Sequence, residues 1–293
     1  MKFSAILGLA LIAQTASAHY IFDTLVAGST TSTKAVRKPA ENSPINDITS
    51  NNLRCNVNTS PATETVSVAA GSKIGFRISN QKIYHLGPAA LYLGKAPGSA
   101  AEWDGSGQSW FKIAEWGAVF EPQFSFSSLD KSEFTATIPP QVPSGEYLVR
   151  IEQIGLHQPG APEFYLSCAQ VKITDGGNGN PPMVSIPGYV SKEKDPGLTV
   201  DIYYPKPTQY TVPGPEIYYG FNDSDDTSDL PDEPQPQNRV PSSSSSPSAT
   251  VSPASKASTF PNASASRTSN PSPSATLTPT RAPACTCTCY PDY

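Results

Sequence analysis

Between residues 19 and 219 the hydrophobic residues come in short β-branched and aromatic runs, cut apart by Gly, Pro, Asn and Ser, with no long repeat of helical period. A strand needs only a few alternating residues, whereas a stable helix needs an extended apolar stripe, so this pattern restricts the chain to packed antiparallel sheets with short helices at most. Candidate strands are residues 65–68, 73–78, 89–93, 134–138, 147–154, 164–173 and 198–203. The expected fold class is all-β, a β-sandwich with long loops, and about two hundred residues suffice for one such core.

The flanks read differently. Met1-Lys2-Phe3-Ser4 carries one positive side chain, an apolar run follows over residues 5–13, and small residues stand at Ala16 and Ala18. This is the order of a secretory signal peptide, too short to span a bilayer. Cleavage after Ala18 would make His19 the first residue of the mature protein. Past Phe221 come the acidic residues Asp223, Asp225, Asp226, Asp229, Asp232 and Glu233, then Ser/Thr/Pro/Ala sequence as far as Ala284; the excess among the 31 prolines lies mostly in the second half of the chain. Such a stretch has too little apolar surface to offset chain entropy, so a disordered tail with the composition of an O-glycosylated stalk is expected. The expected organisation is therefore a signal peptide at 1–18, a folded domain at 19–219, a tail at 220–284 and a Cys-rich end at 285–293. Asn58, Asn222 and Asn262 head glycosylation sequons. A net charge of −5 gives no electrostatic case for nucleic acid. No later segment is apolar enough to be a membrane helix, so a secreted, extracellular monomer is expected.

Of five cysteines, Cys55 and Cys168 fall in the folded part, and a secreted protein should pair them. Cys285, Cys287 and Cys289 alternate with threonine in a spacing that fits no zinc site or small disulfide module. There are three histidines, His19, His85 and His157. A terminal histidine offers its α-amine and ring Nδ1 to one metal ion. A second imidazole would complete a flat three-nitrogen site of the kind that favours Cu(II). His85 precedes a candidate strand and His157 ends another. Alternation along 163–170 puts Glu163 and Tyr165 on one side of a strand, with Phe164, Leu166 and Cys168 on the other, the expected direction of the core.

At these residues the chain resembles the fungal lytic polysaccharide monooxygenases of auxiliary activity family 9, formerly glycoside hydrolase family 61. The resemblance runs in order through His19, the H-x-G-P of His85 to Pro88, Tyr92-Leu93 with Lys95-Ala96-Pro97, and Trp110-Phe111-Lys112-Ile113. It continues through Ile138-Pro139, Pro143-Ser144-Gly145, the R-x-E-x-I-x-L-H of Arg150 to His157, and the F-Y-x-S-C-A-Q of Phe164 to Gln170. Ile186-Pro187-Gly188-Tyr189, Asp195-Pro196-Gly197 and Pro213-Gly214-Pro215 complete it. It covers about residues 19–219 and none of the tail.

The resemblance implies an immunoglobulin-like β-sandwich, the Cys55–Cys168 disulfide, and one copper ion per chain in a histidine brace of His19 and His85. Tyr165 would be the axial tyrosine, with His157 beside bound oxygen species. Tyr204, with Tyr20 and Tyr84, would meet the substrate. Glu163 departs from the family's usual glutamine: an amide can donate a hydrogen bond to an oxygen species, and an ionised carboxylate cannot. Glu163 is expected to keep its place near the metal, with an altered pH–rate profile. Trp110, Trp116 and Phe111 are expected in the core, Glu152 is expected to be structural, and Arg150 is expected to orient the site or pair with an acid. The implied activity is oxidative cleavage of β-1,4-glucans, cellulose first, at C1 or C4. It would use O2 or H2O2 and an external electron donor, either a small reductant or cellobiose dehydrogenase. Two alternatives are a non-catalytic copper- or polysaccharide-binding protein on the same fold, and a glycoside hydrolase, which needs two acids facing each other across the scissile bond.

Overall fold

A computed structural model describes residues 19–220 of the chain. The expected signal peptide, the tail, Asn222, Asn262 and the three C-terminal cysteines lie outside the described residues. Among the described residues the regular structure is all strand apart from two short 3-10 turns, Asn51–Leu53 and Pro196–Leu198. No helix there is long and apolar enough to cross a membrane.

The strands are β1 (Thr24–Ala27), β2 (Thr30–Ser32), β3 (Val36–Arg37), β4 (Val66–Ala69), β5 (Lys73–Arg77), β6 (Ala89–Lys95) and β7 (Gln108–Trp116). They continue as β8 (Ala118–Val119), β9 (Ser125–Phe126), β10 (Glu133–Thr137), β11 (Gly145–Gly155), β12 (Glu163–Thr174) and β13 (Val184–Ser185). A four-stranded sheet runs in the order β10-β5-β1-β2. A seven-stranded sheet runs β13-β7-β6-β11-β12-β3, with β4 pairing parallel to β12, and β8 and β9 form a ribbon of their own. Six of the seven candidate strands are present with shifted ends. Residues 198–203 are not a strand. Pro196 opens a 3-10 turn there, and the Asp201 carboxylate accepts from the backbone N–H of Tyr203 and Tyr204 at 2.8 and 3.1 Å, so turn chemistry overrides an apolar spacing that suits a strand.

The large sheet is buried on both faces. Leu91 and Leu93 of β6, Val149 and Ile151 of β11, and Tyr165, Ala169 and Val171 of β12 meet Leu25, Ile74, Phe76 and Phe134 of the small sheet in the inter-sheet core. Alternate residues (Tyr92, Leu148, Phe164, Leu166 and Cys168) face a second apolar cluster, roofed by Leu53, Trp103, Ile186, Tyr189 and Leu198 from the long loops. The core between the sheets thus lies on the Tyr165 side of β12, and the Phe164 side is buried under loops instead. Trp110 and Phe111 are in the interior, with Trp116 packed against the inter-sheet core. The Cys55–Cys168 disulfide ties one loop to β12.

A buried ion pair organises the loop-covered face. Arg150 Nη2 donates to Glu152 Oε2 at 2.7 Å, and both residues are inaccessible to solvent. The Tyr189 hydroxyl donates to the same carboxylate oxygen at 2.5 Å, while Arg150 Nε donates to the carbonyl oxygens of Leu53 and Arg54. The guanidinium lies 5.3 Å from the ring centres of both Tyr92 and Tyr189. Burial pulls the Arg150 pKa down, and the Glu152 carboxylate more than offsets it, leaving a net upward shift. Removing one partner strands the other charge, which costs about 3–5 kcal/mol. Arg150→Met should therefore lower the unfolding free energy by about that amount in urea denaturation, and Arg150→Met/Glu152→Leu should be less damaging than the single change.

Candidate metal centre

One end of the large sheet gathers the chemistry. In the β11–β12 ladder Gly155 pairs with Glu163 and Gln153 with Tyr165, and across the other edge of β11 Gln153 pairs with Ala89. The start of β6, the end of β11 and the start of β12 therefore coincide. The loop from His85 to Pro88 extends the β6 pairing past its end: Ile154 N–H donates to Pro88 O at 2.9 Å and Leu156 N–H to Leu86 O at 2.8 Å. Ser128 Oγ donates to Gly87 O at 2.6 Å from the opposite side. Gly87 has φ +150°, and a Cβ there would stand 1.8 Å from Ile154 O, so only glycine lets this loop close onto β11.

His85 is held by that loop and His157 by the turn after β11, and their rings stack at 4.3 Å with planes 17° apart. Gly155 makes room for the pair, since a Cβ on it would meet His157 Nδ1 at 3.2 Å and His85 Cβ at 3.5 Å. On β12 the Tyr165 hydroxyl donates to Glu163 Oε2 at 2.6 Å, as expected of two residues on one side of a strand. With its one hydrogen directed at Glu163, the phenol oxygen also lies 3.2 Å from His85 Nε2. Burial, then the hydrogen bond and charge of Glu163, push the Tyr165 pKa well up, so it stands as a neutral phenol. His157 Nε2 lies 3.5 Å from the same Glu163 oxygen. The His19 ring comes from the strand-less segment before β1, 5.7 Å from the Tyr165 ring and 6.3 Å from that of His85. Asn42 Nδ2 donates to the His19 carbonyl oxygen at 3.3 Å. A shallow groove of about 210 Å³ beside His19 is lined by Ile21, Asp23, Asn42, Ile78, Ser79 and Gln81.

The three histidines, Tyr165 and Glu163 are thus brought together. Of the rings expected to meet substrate, Tyr204 is 85% exposed and Tyr84 44%. Tyr20 is not available: it is 3% exposed, with its hydroxyl donating to the Gln153 amide oxygen inside the protein. The sequence placed Tyr20 beside His19 but could not show that its ring turns inward. Asn58 is exposed on a turn, where a glycan could be carried. Gln153 was given no role from the sequence, where it stands as one more polar residue beside Arg150 and Glu152 on β11.

Two donor sets can be drawn from this cluster. His85, His157 and Glu163 have ligand atoms within 4.8 Å of one another. Imidazole lone pairs lie in the ring plane, however, and stacked rings have nearly parallel planes that do not converge on one ion. His19 and His85 stand differently. An imidazole nitrogen about 2 Å from an ion on either side puts the ring centres about 6 Å apart, close to the 6.3 Å found.

The profile of auxiliary activity family 9, formerly glycoside hydrolase family 61, matches residues 19–210. The chain belongs to that family. It is 45% identical over 226 residues to AA9 family lytic polysaccharide monooxygenase H of Malbranchea cinnamomea, covering 73% of this chain and 97% of the relative. It is 44% identical over 233 residues to AA9 family lytic polysaccharide monooxygenase C of Emericella nidulans, covering 75% and 100%. A solved structure of a cellulose-active polysaccharide monooxygenase from M. thermophila superposes with a TM-score of 0.61 at 28% identity, over 69% of this chain and all of that one (100%). The family β-sandwich is the fold expected from the sequence, and the enzyme class is that of the copper-dependent lytic polysaccharide monooxygenases.

The closed approach at Gly87 gives a direct check on the loop. Gly87→Ala should destabilise the protein by about 1–3 kcal/mol in thermal melts and displace His85. Gly71→Ala is the control for backbone conformation alone, because φ there is +81° and a Cβ would meet nothing within 4 Å.

Proposed function

We propose that the mature enzyme is secreted, begins at His19 after removal of residues 1–18, and oxidatively cleaves β-1,4-glucans, with cellulose as first substrate. Its catalytic domain would be residues 19–219, and residues 220–284 and 285–293 would be a non-catalytic tail. The observation that carries this reading is the pair of imidazoles of His19 and His85, 6.3 Å apart and flanked by the Tyr165 oxygen. Cleavage before His19 would add a free amine to that set, and the family match beginning at residue 19 is in keeping with it. The donors would then be the His19 amine and Nδ1 and His85 Nε2, a nitrogen set suited to copper. Copper held there would supply the electron transfer and oxygen chemistry that hydroxylates C1 or C4 of a sugar, drawing on O2 or H2O2 and an external electron donor.

The protein's own residues would do the rest. Glu163 accepts the Tyr165 hydrogen bond, which would leave the phenol's lone pairs free to face a copper ion held by His19 and His85. His157, within 3.5 Å of Glu163, can hold or pass a proton at the edge of the site. Tyr84 and Tyr204 offer exposed faces for stacking on glucosyl rings, and the polar groove beside His19 offers partners for sugar hydroxyls. Cellulose is favoured as substrate by the cellulose-active relative of known structure.

The mature protein, loaded with one copper and given amorphous cellulose and ascorbate, should release aldonic acids or 4-keto sugars, read by mass spectrometry. Product should vanish on chelation and be lost in His85→Ala, which removes one of the three nitrogen donors. Unoxidised sugars that survive chelation would contradict the proposal. Glu163 supports a second reading, a copper-binding protein of the same fold without turnover. If the protein is an active monooxygenase, Glu163→Gln should speed product formation, because an amide can both accept from Tyr165 and donate outward. Copper binding without product in the native protein, with product appearing in Glu163→Gln, would favour the second reading.

A further inference from the structure

The inward-turned Tyr20 leads to a residue outside the brace. Gln153, on β11, is fully buried. Its Nε2 donates to His85 O at 3.2 Å and to Ile154 O at 3.1 Å, and its Oε1 accepts from the Tyr20 hydroxyl. This polarity is fixed by the partners: turning the amide over would set its oxygen against two carbonyl oxygens. One side chain therefore joins the residue that follows His19 to the backbone of His85 itself. Tyr20 also packs its ring 4.8 Å from Tyr165 and 5.8 Å from His85, so the clamp lies directly beneath the metal-facing groups.

We propose that Gln153 and Tyr20 are positioning residues that set the distance between the two halves of the copper brace. The inference rests on the reading of His19 and His85 as copper ligands. The His19 backbone precedes β1, and the buried Tyr20–Gln153 bond, together with the Asn42 bond to His19 O, ties the segment carrying the terminal amine to β11 and the His85 loop. A hydrogen bond that orients a metal ligand in this way is worth about 10–100-fold in metal affinity. Neither side chain belongs to the proposed donor set, so their loss should change the geometry of binding while leaving the donors intact.

The test compares Cu(II) affinity and the EPR spectrum of the mature protein with those of Tyr20→Phe, Gln153→Leu and the double variant. Both single variants should bind copper about tenfold or more weakly, with the same change in copper hyperfine splitting. The double variant should be no weaker than Gln153→Leu, because one bond is lost in all three. Tyr20→Phe removes only a hydroxyl and keeps the packed ring, so it serves even if Gln153→Leu, which strands two carbonyl oxygens, does not fold. Native affinity and an unchanged spectrum in Tyr20→Phe would overturn the clamp, as would strictly additive losses. If the native protein itself shows no tight nitrogen-ligated copper signal, the copper reading falls and the clamp with it, an outcome distinct from native binding with indifferent variants.

Discussion

The backbone ladder between β11 and β12 is the constraint on which the rest depends. It runs without interruption from the Gly145–Ile173 pair to the Gly155–Glu163 pair, with β6 along the other edge of β11. Because side chains alternate, a slip of one residue would turn every group on a strand to the opposite face. Tyr165 would leave the side facing His19 and His85, and Phe164 would take its place. Gln153 would lose its position between Tyr165 and Ala89. The site is therefore specified by hydrogen bonds remote from it.

Burial of the large sheet on both faces gives this register its rigidity and gives the long loops their purpose. One face packs on the small sheet; the other carries the Arg150–Glu152 pair, sandwiched between Tyr92 and Tyr189 and bonded to loop carbonyls. A charge in such a place is tolerated only because each of its partners is in position. The loops so anchored include Arg54, next to Cys55. At the open end of the sheet the pattern changes from apolar packing to a few convergent polar groups, where a site able to hold an ion is expected.

Much of this was legible in the sequence. β5, β6, β11 and β12 were legible as β-branched and aromatic runs bounded by turn residues, and the placing of Glu163 and Tyr165 on one side of β12 follows from period two alone. The histidines drew attention by their scarcity and by the family pattern. What was not legible depends on contacts between distant segments. β7 has apolar residues on both faces and shows no clean alternation, so it was read only as a motif. Residues 198–203 carry an apolar spacing that serves loop packing. Tyr20 looked like a surface ring because its partner Gln153 is 133 residues away. Conversely, the Glu163 departure was visible at once, yet its consequence, a carboxylate that accepts the Tyr165 hydrogen bond, required the geometry.

The most direct test of the account is copper titration of two forms of the protein, one beginning at His19 and one with a single glycine placed before it, each followed by EPR. The account predicts tight one-to-one Cu(II) binding with nitrogen hyperfine structure in the first form, and an affinity weaker by about a hundredfold or more in the second, where the terminal amine no longer belongs to His19. Equal affinity and identical spectra in the two forms would contradict it and would transfer the metal to the His85, His157 and Glu163 set.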